Sequence, residues 1–311
     1  MRRIKLTLMY DGAPFGGWQA QPNCVSVQVL VEEALSRMTG EGAGVVGASR
    51  TDAGVHALMQ VAHFDTARDI PPDGFVAGLN SMLPAGISVL SAEEVSPDFH
   101  ARKSSRGKLY TYRILVSRER NPFFEGRAWR LRRTPDIGAM REAASHLVGE
   151  HDFSSFRAAG CASRHAVRRI GRIEVKGPSS GDFGLREGEQ IVELDFEGNG
   201  FLRHMIRNIV GTLVEAGEGK IAPEETQRIL EAEKRTEAGR CAPASGLYLV
   251  CRLFRNPSSA LVLLLLFLFV LRLPTFLVED EVVAVRARVE SVVADAGYGI
   301  GFQVAYRDEV E

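Results

Sequence analysis

Residues 3–10 alternate in polarity, with Ile4, Leu6 and Leu8 on one face and Lys5, Thr7 and Met9 on the other. That period of two predicts a strand. The pattern then changes period: Val27, Leu30, Val31, Ala34, Leu35 and Met38 recur at helical spacing, with Ser26 placed to cap and Gly40 to stop. Further strands are predicted at 44–46, 58–64, 87–95, 109–116, 170–175, 190–197 and 247–254. Further helices are predicted at 73–81, before Pro84, and at 135–148, with Thr134 as cap and Ile137, Met140, Ala144 and Leu147 facing inward. The last two helices fall at 201–216 and 223–233. The order strand, helix, strand, strand occurs twice, loosely, and without a residue-level repeat. It predicts an α+β protein of two related halves, 1–104 and 105–256, whose sheets meet across a cleft.

The remaining 257–311 segment reads differently. Residues 260–271 form an almost unbroken Leu/Val/Phe run of twelve, which passes Arg272 and Pro274 before it reaches about nineteen. A membrane helix needs about 20 apolar residues, so membrane contact through 260–278 is the less favoured reading and a buried element or a foreign extension the better one. Gly297, Gly299 and Gly301 do not precede a helix pattern and make a poor dinucleotide fingerprint.

Composition is that of an ordinary globular chain, 45% hydrophobic and 25% charged over 311 residues. Cys24, Cys161, Cys241 and Cys251 are scattered without a C-x-x-C pair and read as reduced structural thiols in a cytoplasmic protein. The N-terminus runs directly into a strand with no apolar leader, which reads against a signal peptide. The net charge of −1 conceals an asymmetry: residues 102–172 carry 17 Lys/Arg against 6 Asp/Glu, and residues 278–311 carry 8 acidic against 3 basic side chains. The basic middle third fits either a polyanionic partner or a solvated surface.

Three groups of residues carry candidate chemistry. Gly47-Ala48-Ser49-Arg50-Thr51-Asp52-Ala53-Gly54-Val55-His56 sets one carboxylate in a glycine-hinged polar turn between two strands. Asp52 is then a nucleophile or base, an orienting group, or a plain turn residue; a metal ligand is disfavoured because no donor cluster at ligand spacing surrounds it. His56 and His63 read as structural. In the second group, on the helix expected at 201–216, Arg203 and Arg207 share one face and His204 and Asn208 the next. An arginine there pairs with an anion, Asp52 being the natural one, or lies on the surface. The third group is Lys108-Leu109-Tyr110-Thr111-Tyr112-Arg113, an aromatic–basic interleave that suits either base stacking or a half-buried strand. Phe99-His100-Ala101-Arg102-Lys103 and Ser163-Arg164-His165 are basic loops able to grip phosphates.

Together these residues resemble the TruA family of tRNA pseudouridine synthases, which act on the anticodon stem-loop. The resemblance runs in order through Tyr10-Asp11-Gly12, Phe15-Gly16-Gly17-Trp18-Gln19, Arg50-Thr51-Asp52-Ala53-Gly54-Val55-His56-Ala57, Gln60-Val61-Ala62-His63-Phe64 and Phe99-His100-Ala101-Arg102. It continues through Tyr110-x-Tyr112, Phe201-Leu202-x-x-Met205-Ile206-Arg207-Asn208-Ile209-Val210-Gly211 and Gly246-Leu247-Tyr248-Leu249, and stops near Pro257. The resemblance implies an isomerase that converts uridine to pseudouridine at tRNA positions 38–40 with no cofactor and no metal. It also implies a curved, mainly antiparallel sheet shared by the two halves and flanked by helices, a central catalytic cleft, and a homodimer that holds tRNA across both subunits. By position, Asp52 matches the family's catalytic aspartate and Arg207 its paired arginine. Tyr110 matches the tyrosine stacked on the uracil, also a candidate proton acceptor, and Arg50 the arginine that helps extrude the base. Phe99, His100, Ala101, Arg102, Lys103, Ser163 and Arg164 match tRNA-contacting loops, although His165-Ala166 departs from the usual Thr-Pro. Two other readings compete: a non-catalytic tRNA-binding module, and an Asp-dependent nuclease or glycosidase.

Overall fold

The structure, a computed structural model, describes residues 1–161 and 163–252. The apolar run at 260–271, the membrane reading of 260–278 and the 257–311 tail lie outside the described residues. Among the described residues no helix is long and apolar enough to cross a membrane.

The N-terminal alternation becomes β1 (Arg2–Tyr10), followed by α1 (Val27–Thr39), β2 (Val46–Gly47), β3 (His56–Thr66), α2 (Pro72–Met82) and β4 (Ile87–Val95). Ser26 caps α1 by accepting the Val29 N–H, and Val27, Val31, Ala34 and Leu35 are buried as the periodicity requires. The chain continues through β5 (Gly107–Val116), β6 (Trp129–Leu131), α3 (Ile137–Ser145), β7 (Gly149–Asp152), β8 (Val167–Ser179) and β9 (Gln190–Gly198). It ends with α4 (Met205–Gly217), α5 (Glu225–Glu231) and β10 (Leu247–Arg252).

The ten strands of the described residues join one sheet in the order β4-β1-β3-β10-β5-β9-β8-β7, with β2 added on β3 and β6 on β5. Pairing is antiparallel except for β10 with β3 and β5 with β6. The expected α+β, mainly antiparallel architecture is what the described residues form. The last strand is inserted between β3 and β5, so Leu249 pairs with Ala57 on one side and with Tyr110 on the other. This register fixes the lateral placement of the Asp52 turn, at the start of β3, relative to Tyr110 on β5.

Two expectations need correction. The helix expected at 135–148 is shorter, because Asp136 rather than Thr134 caps it, accepting the Ala139 N–H at 3.1 Å. Met140, Ala144 and Leu147 are buried as expected, although Leu147 lies just past the helix end. The helix expected at 201–216 starts at Met205, after a turn in which the Met205 N–H reaches Leu202 O at 3.1 Å. Arg203 is therefore outside it and exposed, and does not share a helical face with Arg207. Strands β6 and β7, of three and four residues, are too short to impose a period on the sequence.

The apolar face of α4, with Met205, Ile206, Ile209, Val210, Leu213 and Val214 all buried, belongs to the same hydrophobic core as Tyr110, Tyr112 and Phe196 of the sheet. Each such side chain taken fully out of water contributes about 1.5–3 kcal/mol. This packing sets the position of Arg207, in the first turn of α4.

One buried carboxylate fastens the region beyond β5. Glu189 accepts hydrogen bonds from Ser117 Oγ (2.7 Å), Asn121 Nδ2 (2.7 Å) and Arg186 Nη2 (2.6 Å). The Arg186 guanidinium first, then these hydrogen bonds against the cost of burial, hold its carboxyl at about 2. The stability it contributes is therefore complete above the ordinary value of 4.5 and drains as pH falls from there toward 2. Glu189→Gln is expected to lower Tm at pH 7 by about 3–6 °C and to flatten the acid limb of a Tm-against-pH series. An unchanged acid limb contradicts this role.

Candidate active site

Residues 48–55 cross from β2 to β3 through a bend and a turn, and the side chains of 49–52 alternate between buried and more exposed. Ser49 and Thr51 are buried, Arg50 is exposed, and Asp52 is half-buried, its side chain 30% exposed. The buried side chains anchor the turn. Thr51 Oγ1 shares a hydrogen bond of 2.8 Å with Tyr10 Oη, and Ser49 Oγ one of 2.9 Å with Tyr110 Oη. Gln60, fully buried on β3, extends the β2–β3 ladder with its side chain. It accepts the Ser49 N–H at 3.3 Å and donates to Ser49 O at 2.6 Å.

The glycine-rich loop after β1 supports the same turn from the other side. Trp18 N–H donates to Thr51 O at 3.1 Å. Gly17 (φ +94°) approaches so closely that a Cβ there would sit 2.5 Å from that carbonyl. The turn closes with Val55 N–H on Asp52 O at 3.1 Å, followed through Gly54 at φ +78°. Backbone contacts on both sides thus aim Arg50 and Asp52 outward without relying on either side chain.

Arg207 approaches Asp52 from α4, its Nη1 3.6 Å from Oδ2. The guanidinium is held in place: Nε donates to Ala242 O at 2.7 Å, the Ala242 N–H returns to Arg207 O at 3.0 Å, and the side chain is only 17% exposed. The pair is the one expected of an arginine on a core-facing helix, which must meet an anion. A second neighbour of Asp52 lies outside that expectation: His204 Nε2 is 3.4 Å from the same Oδ2. A helix starting at 201 puts His204 on a different face from Arg207. It instead precedes α4 in the left-handed region at φ 59°, ψ 3°, which costs a residue with a Cβ about 1–2 kcal/mol. Burial, reinforced by Arg207, Arg203 and Arg235, pushes its imidazole below the usual histidine range, against the pull of Asp52.

Tyr110 is 6% exposed, and its ring meets Phe201 edge-on at 5.4 Å. Burial above all pushes its phenol up, opposed by the Ser49 hydrogen bond and helped by Cys251 and then Asp52. Two residues along the same β5 face, Lys108 has its ammonium pushed down by burial and then by Arg102 and Arg168.

The basic loops lie further out. His63 accepts the Ala101 N–H at 3.2 Å through Nδ1 and anchors that loop. Ala101 is buried, Phe99 and His100 are half-buried, and Arg102 and Lys103 are exposed. Ser163 holds its own loop by donating to His165 O at 2.9 Å and accepting from Arg168 Nη2 at 2.8 Å, leaving Arg164 exposed. His56, stacked on Tyr248, donates from Nε2 to Gly126 O at 2.7 Å and is structural, as expected. Asp52 thus lies against Arg207, within electrostatic reach of Tyr110 and two residues from the exposed Arg50.

A half-exposed carboxylate 3.6 Å from a guanidinium and within electrostatic reach of a buried tyrosine suits chemistry on a nucleotide. The comparisons agree. A family model described as tRNA pseudouridine synthase matches residues 7–102 and 143–254. The chain is 46% identical over 260 residues to a Myxococcus xanthus protein named tRNA pseudouridine synthase A, covering 84% of this chain and 95% of that one. It is 45% identical over 249 residues to a Geobacter sulfurreducens protein of the same name, covering 80% and 98%. Among solved structures, an archaeal box H/ACA sRNP Nop10–Cbf5 complex aligns at a TM-score of 0.31 and 10% identity, over 81% of this chain and 50% of that one. A likeness that low carries no argument. The family match and the two relatives place this chain in the tRNA pseudouridine synthase family.

Proposed function

We propose that this protein isomerises uridine to pseudouridine in the anticodon stem-loop of tRNA, at positions 38–40, with Asp52 acting at the ribose C1′. The observation that carries the reading is the Asp52 carboxylate, partly exposed and 3.6 Å from Arg207, in a chain that matches the family along both halves. The reaction is redox-neutral. The N1–C1′ bond breaks, a C5–C1′ bond forms, the C5 proton leaves and N1 gains one. Nothing in that balance requires a cofactor or a metal.

In this reading Arg50, exposed two residues before Asp52, takes the place of the extruded base. That step spends a few kcal/mol of stacking to reach the target atom. Tyr110, its phenol pushed up and engaged with Ser49, serves as the wall on which uracil stacks. Phe99, His100, Ala101, Arg102, Lys103, Ser163 and Arg164 shape the two loops that hold the RNA, with the exposed Arg102, Lys103 and Arg164 meeting phosphates. We place the enzyme in the cytoplasm as a homodimer, each chain built of halves 1–104 and 105–256 joined along β10. The non-catalytic tRNA-binding alternative gives no role to a half-exposed carboxylate set against a guanidinium, and the family match does not favour it.

Nucleotide-resolution mapping of an unmodified tRNA transcript incubated with the protein tests this. Pseudouridine is expected at 38–40 where uridine stands there. RNA that is bound but unchanged contradicts the proposal.

A further inference from the structure

The family pattern accounts for one partner of Asp52, and the structure shows two. We propose that His204 is a positioning residue for uridine isomerisation: its imidazole and the Arg207 guanidinium clasp Oδ2 of Asp52 and leave Oδ1 to act on the sugar. The proposal rests on the isomerase reading above and assigns His204 a part in it.

Three observations carry it. The closest approaches of both partners, 3.4 Å from His204 Nε2 and 3.6 Å from Arg207 Nη1, are to the same oxygen. A carboxylate held by one oxygen has its second oxygen oriented and available, which is the requirement for a near-attack geometry.

Next, His204 occupies a left-handed backbone position, φ 59°, where glycine would sit without strain. A bulky side chain kept where the backbone favours none points to a use for that side chain. The backbone duty of the residue, accepting the Asn208 N–H at 2.9 Å, needs no imidazole. Among the described residues Asp52 is the only ion-pair or hydrogen-bond partner of the ring.

The third observation is electrostatic. Burial first, and then Arg207, Arg203 and Arg235, bias the His204 ring toward its neutral form, against the pull of Asp52. A neutral ring can present one N–H to the carboxylate without adding a second full positive charge, so Asp52 keeps its electron density while its direction is fixed.

The test uses the full chain with enzyme in excess over an unmodified tRNA transcript carrying [5-³H]uridine, and follows tritium release in a single turnover. His204→Gly relieves the backbone and removes the donor. Its maximal rate is expected to fall about 10–100-fold, with half-saturating concentration and tRNA affinity within about twofold of wild type and Tm unchanged or raised. His204→Asn tolerates the left-handed turn and keeps an N–H donor, and is expected to recover the rate to within about fivefold of wild type. A purely structural role would move Tm and would not distinguish the two variants. A glycine variant as fast as wild type overturns the proposal, as does one slowed only through weaker tRNA binding. Equal slowing of the two variants also overturns it. Should the glycine variant not fold, His204→Ala against His204→Asn is read in the same way. Absence of tritium release by the wild type would instead sink the isomerase reading itself, so the two failures are separable.

Discussion

Replacing Asp52 by asparagine is expected to reduce single-turnover pseudouridine formation by about 10³–10⁵-fold while leaving tRNA affinity within about threefold of wild type. The two parts follow from separate features. The asparagine would keep the size of the side chain but lack the charge that bonds to or stabilises a developing cation at C1′. Binding is spread over the exposed Arg102, Lys103 and Arg164, none of which pairs with Asp52. The turn itself is held by Ser49, Thr51, Gln60 and the Trp18–Thr51 backbone bond, so the variant is expected to fold with Tm within about 2 °C of wild type. Tritium release, filter binding and a melting curve on one preparation check all three. An Asp52→Asn protein that keeps its rate, or loses tRNA, contradicts the assignment.

Arg207→Lys is expected to cost about 10²-fold in rate despite keeping the charge. The arginine does two things at once: Nη1 faces Asp52 while Nε is bound to Ala242 O at 2.7 Å. A lysine ammonium can serve one of these sites at a time, so the carboxylate loses a fixed partner. Arg207→Met removes both. It leaves the Ala242 carbonyl without its side-chain donor, for an expected destabilisation of about 1–3 kcal/mol, and is expected to lose more rate than the lysine variant. tRNA affinity and its dependence on salt should stay as in wild type for both, because Arg207 faces a protein carboxylate and releases no counterion from RNA. A weakened, less salt-dependent complex with normal rate at saturation would show that Arg207 grips phosphate instead. Denaturant unfolding and salt-titrated binding distinguish these outcomes.

Much of this site was legible because its residues carry unusual local chemistry. Asp52 stood out as a lone carboxylate in a glycine-hinged turn, and Arg207 as a cation on a helix whose other positions are apolar. Their pairing followed from the cost of burying a charge without a partner. The strands of the N-terminal half were readable because one face of each packs on the core, as Ile4, Leu6 and Leu8 do. What escaped depended on backbone conformation or on distant pairing. His204 was misplaced because a left-handed residue before a helix leaves no trace in hydrophobic periodicity, and Phe201 and Leu202 continued the apolar pattern past the true start. Gln60 was read as part of a strand, and nothing local shows that its amide would bond both backbone groups of Ser49, eleven residues away. The insertion of β10 between β3 and β5 is a tertiary fact: residues 247–252 read as a strand, and their two neighbours come from positions 56–59 and 107–112.

The central claim is that the chain moves a glycosidic bond within one nucleotide, neither cutting the strand nor discarding the base. The most direct measurement follows tRNA labelled with tritium at C5 of uridine and counts three products in one reaction: tritium released, pseudouridine formed and free uracil. One tritium released per pseudouridine, an intact strand and no free uracil are expected. Uracil release, strand scission, or tritium loss without pseudouridine would contradict the claim.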